Sequence, residues 1–216
     1  MSDGHVAVLG APLAPEEQAR ADFYALLSRL YAAAPDAALL RAIAQAPALG
    51  MATLVDDGHD SAGQLAAAWD RLRLASSVME TQAADQEYAD LFIGVGKSEV
   101  NLHASHWITG FMMDKPLVEV RATLARLGLA RQAHASMVED HIAALFETMR
   151  LLISGLEGGP PSRIEDQQDF FERHIAPWAP RCCAAIRANS VANYYRRVAE
   201  LTDSFMTIER DSFAMV

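Results

Sequence analysis

"VEDHIAALFETMRLLISG", Val138 to Gly155, sets two carboxylates and a histidine in front of an apolar run that ends on glycine. Read as a helix beginning at Val138, it places His141, Leu145, Thr148 and Leu152 on one face at steps of three to four residues. Glu139 and Asp140 then fall in the first turn, where the helix dipole favours negative charge, and Gly155 ends the helix. No segment of the chain alternates apolar and polar residues as a half-buried strand does. The expected fold class is therefore all-α.

Outward from this helix the same period recurs. Pro15, Glu16 and Glu17 open a helix over about 15–33 through Phe23, Leu26, Leu27, Leu30 and Tyr31, until Pro35 stops it. "DAALLRAIAQA" reads as a short second helix, and "PALGMATLVDDGHD" carries the punctuation of a loop. Ser61 with Gln64 resembles a capping box that opens a helix through Leu65, Trp69, Leu72 and Met79. The next helical stretch ends in "EYADLFIG", with Gly94 as its stop. From Val95 to Asp114 no period holds, which predicts a long loop, unusually rich in Trp, Phe, Met and His. "KPLVEVRATLARLG" closes at Gly128, "LEGGPPS" is a break, and "DQQDFFERHIAPW" precedes one long helix, "RCCAAIRANSVANYYRRVAELTDSFMTIE".

With 216 residues, the chain is expected to form one domain over 15–216 behind a flexible tail over 1–14. Hydrophobic residues make up 51% and charged ones 21%, which excludes disorder, and no apolar run approaches the roughly 18 residues a bilayer requires. Eighteen basic against 28 acidic residues give a net charge of −10, the wrong sign for a nucleic-acid surface and the right one for a basic partner. The first residues lack the basic region of a secretory signal, so a cytoplasmic location is expected. Cys182 and Cys183 are adjacent, cannot staple distant parts of a fold, and read as helix packing.

Two chemistries compete for the histidine-rich centre. Asp140 with His141 could form a general base, and His103 and His106 could hold a metal beside them, but the sequence marks neither a nucleophile nor a pocket. Adjacent Asp140 and His141 would point about 100° apart on a helix, which one ion cannot easily use. Ser105, between two histidines, lacks the Gly-x-Ser-x-Gly turn of a hydrolase. The plainer reading is a hydrogen-bonded core histidine behind an acidic turn. Tyr88, Leu91 and Phe92 likewise read first as one packed helix face.

The order of these pieces resembles the TorD/DmsD/NarJ family of redox-enzyme maturation chaperones over about Ala19 to Glu209. Tyr88, Leu91, Phe92 and Gly94 match that family's aromatic-x-x-Leu-Phe-x-Gly helix end. Ser105 and Trp107 match its Pro-Trp-x-Ser-like loop, while Glu139, Asp140 and His141 match its Glu-Pro-Asp-His or Pro-Glu-Asp-His hinge. Leu102 and Val138 stand where relatives often have proline, and His103 where an aromatic is common. The resemblance implies a cytoplasmic, non-enzymatic helical bundle with a hinge near 130–140 and without a cofactor, monomeric or as a domain-swapped dimer, that binds a molybdoenzyme catalytic subunit and its twin-arginine signal peptide. Leu91, Phe92, Trp107, Phe111, Met112 and Met113 would supply an apolar groove with Leu102, His103 and Ser105 alongside, and Glu139 and Asp140 would receive an arginine. A small Asp/His- or metal-dependent enzyme and a permanent accessory subunit are the alternatives.

Overall fold

A computed structural model describes residues 13–50, 61–94, 98–131, 137–156 and 159–215. Ten α-helices and one π-helical turn make up its regular structure, with no strand among the described residues. The fold is the all-α class expected. The tail over 1–12, the loop over 51–60 and the centre of the expected hinge, 132–136, lie outside the described residues.

Helix α1 (Pro15–Ala32) starts on a proline whose missing N–H costs nothing at that position. Helix α2 (Ala37–Gln45) is capped by Asp36, whose carboxylate accepts the Leu39 amide at 2.7 Å. Helix α3 (Ser61–Val78) packs along α2 and along α10 (Tyr194–Phe213). Helix α4 (Thr81–Tyr88) runs directly into the π-turn Ala89–Ile93, which Gly94 ends at φ 63°. Helix α7 (Ile142–Ser154) packs on α1, where Ser28 Oγ donates to the Ala143 carbonyl at 2.8 Å. Helices α8 (Ile164–His174) and α9 (Ala179–Ala188) complete the bundle by packing on α7 and α10 respectively.

The core is aromatic. Tyr24, Tyr31, Phe146, Phe170, Trp178, Tyr194 and Tyr195 are all fully buried, and the tyrosine hydroxyls find partners, as buried ones must. Tyr24 donates to Glu209 Oε2 at 2.9 Å, and Tyr195 donates to the Leu30 carbonyl at 3.0 Å. Glu209, 1% exposed, is also gripped by the Arg20 guanidinium at 2.7 and 2.9 Å. Paired in this way, a buried carboxylate is tolerable; with Arg20 removed it would be an uncompensated charge.

Three expectations need correction. The long loop of 95–114 contains a helix, α5 (Ala104–Thr109), closed by Gly110 at φ 83°. The single C-terminal helix is two, α9 and α10, because the α10 N-terminus is fixed at Tyr194 by Glu87. That carboxylate accepts the amides of Asn193, Tyr194 and Tyr195 at 2.8, 3.0 and 2.8 Å. Finally, α7 starts at Ile142 and not at Val138, so His141 is its cap and Glu139 and Asp140 form the turn before it.

Candidate functional site

The extended residues between the π-turn and α5 meet the turn before α7. His103 and His141 form a two-residue antiparallel β-bridge, with the Ala104 amide donating to the Asp140 carbonyl at 2.9 Å and the Ile142 amide to the Leu102 carbonyl at 2.8 Å. The two rings meet edge to face with centroids 4.9 Å apart. His141 Nδ1 accepts the Ala143 amide at 3.2 Å, the work usually done by a serine or aspartate cap. An imidazole nitrogen that accepts a hydrogen bond must be unprotonated. Burial, reinforced by the neighbouring His103, pushes the His141 pKa down to about 3, so the ring is neutral and suited to capping. Burial also lowers the His103 pKa, against the pull of Asp140.

Asp140 is 1% exposed. Its Oδ2 accepts the Ser105 amide at 3.0 Å and the Ser105 hydroxyl at 2.5 Å, which caps α5 from a segment distant in sequence. Ser105 Oγ accepts the Asp114 amide in turn, at 3.3 Å. Asp114 then caps helix α6 (Lys115–Arg126) by accepting the Lys115 amide. One serine thus ties together the start of α5, the turn 110–114 and the approach to α7.

That turn points outward. Phe111, Met112 and Met113 are 72, 45 and 70% exposed, flanked by exposed Ile108 and Val118. Met113 is held at φ 55°, a left-handed conformation that disfavours side chains with a Cβ. The turn is thus an apolar cluster shown to water on a strained, tied-down segment.

Asn101 was not marked in the sequence, yet it organises the approach. Its side-chain oxygen accepts the His103 amide at 2.9 Å, its carbonyl accepts Trp107 Nε1 at 2.7 Å, and its Nδ2 donates to Met112 Sδ at 3.2 Å. An asparagine two residues before the amide it binds is a local turn signature that a closer reading of "NLH" offers. Arg181, also unmarked, lies over the Trp107 ring at 5.6 Å and donates to its carbonyl.

The remaining sequence candidates divide by surface. Leu91, Leu102, Ser105 and Asp140 are buried and contribute by holding the site. Tyr88 and Phe92 are half-buried against Tyr195, with ring centroids at 5.6 and 4.9 Å, and Trp107 and His103 are half-buried on the seam. Glu139 is already engaged. Arg121 donates to it at 2.9 Å and Arg131 stands at 3.9 Å; although partial burial opposes this, the two arginines hold its carboxyl below the ordinary range. Neither carboxylate of the hinge is therefore left open for an incoming arginine. Asp140 lacks the surface, and Glu139 has its partners.

Cys182 and Cys183 are free thiols buried in α9, and burial raises the Cys183 pKa to about 12. Among the described residues, no three of His, Cys, Asp and Glu gather as a metal site, and no helix is long and apolar enough to cross a membrane.

Comparison with known families supplies what the geometry alone does not. No curated protein matches the chain. A family model described as nitrate reductase delta subunit matches residues 59–184, a span that runs from α3 into α9 and contains the whole seam of α5, α6 and the α7 cap. With that match covering more than half of its length, the chain belongs to the nitrate reductase delta subunit family, a family of chaperones for the maturation of molybdenum enzymes.

Proposed function

We propose that this chain binds the twin-arginine leader of a molybdoenzyme catalytic subunit, alone or with its apo form, and withholds it from export until the cofactor is inserted. It does so as a cytoplasmic, non-catalytic chaperone. The observation that carries this reading is the outward apolar turn of Phe111, Met112 and Met113, fixed from beneath by Ser105 and Asp140. A leader combines a basic front with a moderately apolar stretch. Unbranched methionines beside an aromatic ring adapt to varied apolar side chains, which suits a receptor that holds a peptide without demanding one sequence.

Magnitudes suit reversible holding. Covering a handful of such side chains gains roughly 8–15 kcal/mol gross; ordering the peptide costs about 2–5 kcal/mol and association about 4–15 kcal/mol. Affinity near the micromolar range, about −8 kcal/mol, sits at the favourable end of that balance.

Calorimetric titration with a synthetic leader of about 30 residues, carrying paired arginines before an apolar stretch, tests the reading. Saturable one-to-one binding that weakens at least tenfold in Phe111→Ala supports it. Absence of binding, or binding indifferent to Phe111→Ala, overturns it.

A further inference from the structure

With Glu139 paired to Arg121 and Asp140 buried under Ser105, the basic front of a bound peptide needs other acceptors. The surface beside the apolar turn supplies them. Between Arg73 and Lys97 the sequence has no lysine or arginine but has Glu80, Asp85, Glu87 and Asp90. Glu87 is consumed inside the fold by the α10 amides. Asp90 stays exposed on the π-turn, bonded only by Gln86 Nε2 at 2.8 Å among the described residues.

A hydrogen bond from the Val100 amide to the Leu91 carbonyl, 2.9 Å, lays the next extended segment against this turn. Asp90 and Glu99 directly precede the two bonded residues, and both are exposed, with Ile93, 64% exposed, at the end of the same turn. Neither carboxylate lies within 4 Å of a lysine, arginine or histidine nitrogen among the described residues. Two residues on, Asn101 touches Met112, and two residues of chain span at most about 7 Å. Glu99 is therefore tied through two residues of chain to the one that touches the apolar turn.

We propose that Asp90 and Glu99 receive the arginine pair of the bound peptide while its apolar stretch covers Phe111, Met112 and Met113. This fixes the direction in which the peptide lies, and it rests on the leader-binding reading above. The occupant follows from complementarity: an apolar patch bordered on one side by carboxylates matches a peptide whose cations come just before its apolar residues. A planar guanidinium meets a carboxylate in a two-point fork, so two arginines satisfy two acids better than two lysines would.

The test is a cycle of two proteins and two peptides, read by calorimetry on the full chain. The proteins are wild type and the double variant Asp90→Asn with Glu99→Gln; the peptides are a synthetic leader and the same leader with both arginines replaced by glutamine. For wild type, losing the arginines should weaken binding about fivefold, as two exposed ion pairs allow. For the double variant the two peptides should bind equally. Both substitutions are on exposed side chains, and unchanged circular dichroism confirms that the variant folds. Phe111→Ala should weaken both peptides by the same factor. A double variant that still distinguishes the peptides fivefold, or a wild type that never does, overturns the assignment of the acids while leaving leader binding intact. Failure of wild type to bind either peptide overturns both.

Discussion

The Ser105 hydroxyl donates a hydrogen bond of 2.5 Å to Asp140 Oδ2, and the Ser105 amide donates to the same oxygen at 3.0 Å. A buried carboxylate held this way must lose stability when either bond goes, because the charge that remains is under-solvated. Ser105→Ala removes one donor to Asp140 and also the acceptor for the Asp114 amide. Chemical denaturation should report a loss of about 2–3 kcal/mol. A variant within 0.5 kcal/mol or so of wild type, the range of ordinary surface changes, would show that Asp140 finds other partners.

His141 should make stability depend on pH. Its folded pKa of about 3 lies below the unfolded value of about 6.5. Below pH 6.5 the unfolded chain therefore takes up a proton that the folded chain refuses, and stability falls as pH drops from about 6.5 towards 3. This one ring contributes a slope of at most about 1.4 kcal/mol per pH unit. Because asparagine caps helices without titrating, His141→Asn should remove this slope and keep α7. Denaturation midpoints at pH 7 and pH 5 measure the difference, and a slope unchanged in the variant would assign the dependence elsewhere.

How much of this was legible in the sequence differs from helix to helix. α6 was readable because its signals are local: Pro116 lies in its first turn, and Asp114 and Gly128 flank it. The start of α7 was not, since Glu-Asp-His before an apolar run fits a first turn as well as the turn before a cap. The choice is made by Ser105, thirty-five positions away, and by the bridge to His103. α5 escaped for the same reason: six residues show no period, and its N-terminus is satisfied by Asp140 from outside. Of the candidate site, the apolar turn was visible as an excess of Phe and Met. The engagement of Glu139 was invisible, because Arg121 and Arg131 reach it only through the fold.

Glu87 should prove more important to α10 than any residue of that helix's own first turn. Three consecutive amides depend on its carboxylate, so Glu87→Ala leaves three donors short of a partner at a largely buried helix start. A loss of about 3 kcal/mol in urea unfolding is expected, at the upper end for hydrogen bonds to a charged group. Glu87→Gln, which keeps an oxygen but not the charge, should lie between. Equal stability of the alanine variant and wild type would refute the capping role.

Met113 offers a separation of stability from binding. Glycine at this position removes the left-handed strain at φ 55°, a gain of about 1–2 kcal/mol, and gives back about 0.5–1 kcal/mol in chain entropy. Met113→Gly should thus equal or slightly exceed wild type in thermal stability. It should bind a leader peptide more weakly, since an exposed apolar side chain of the turn is gone. A variant that is both less stable and equally good at binding contradicts the role given to the turn.

The paired amides at Ala104 and Ile142 bring together two points of the chain with all of α5 and α6 between them. The chain between these points is in effect a loop with a stitched neck, with its α5 laid on α9 and its α6 on α8. Its closure entropy is met at the neck, so opening of this block is expected to leave α1, α7 and α10 in place. Amide hydrogen exchange across α6 should then proceed as one cooperative block, at a lower opening free energy than the core helices. A fold built this way would confine such an opening to one block and keep the packing of the rest.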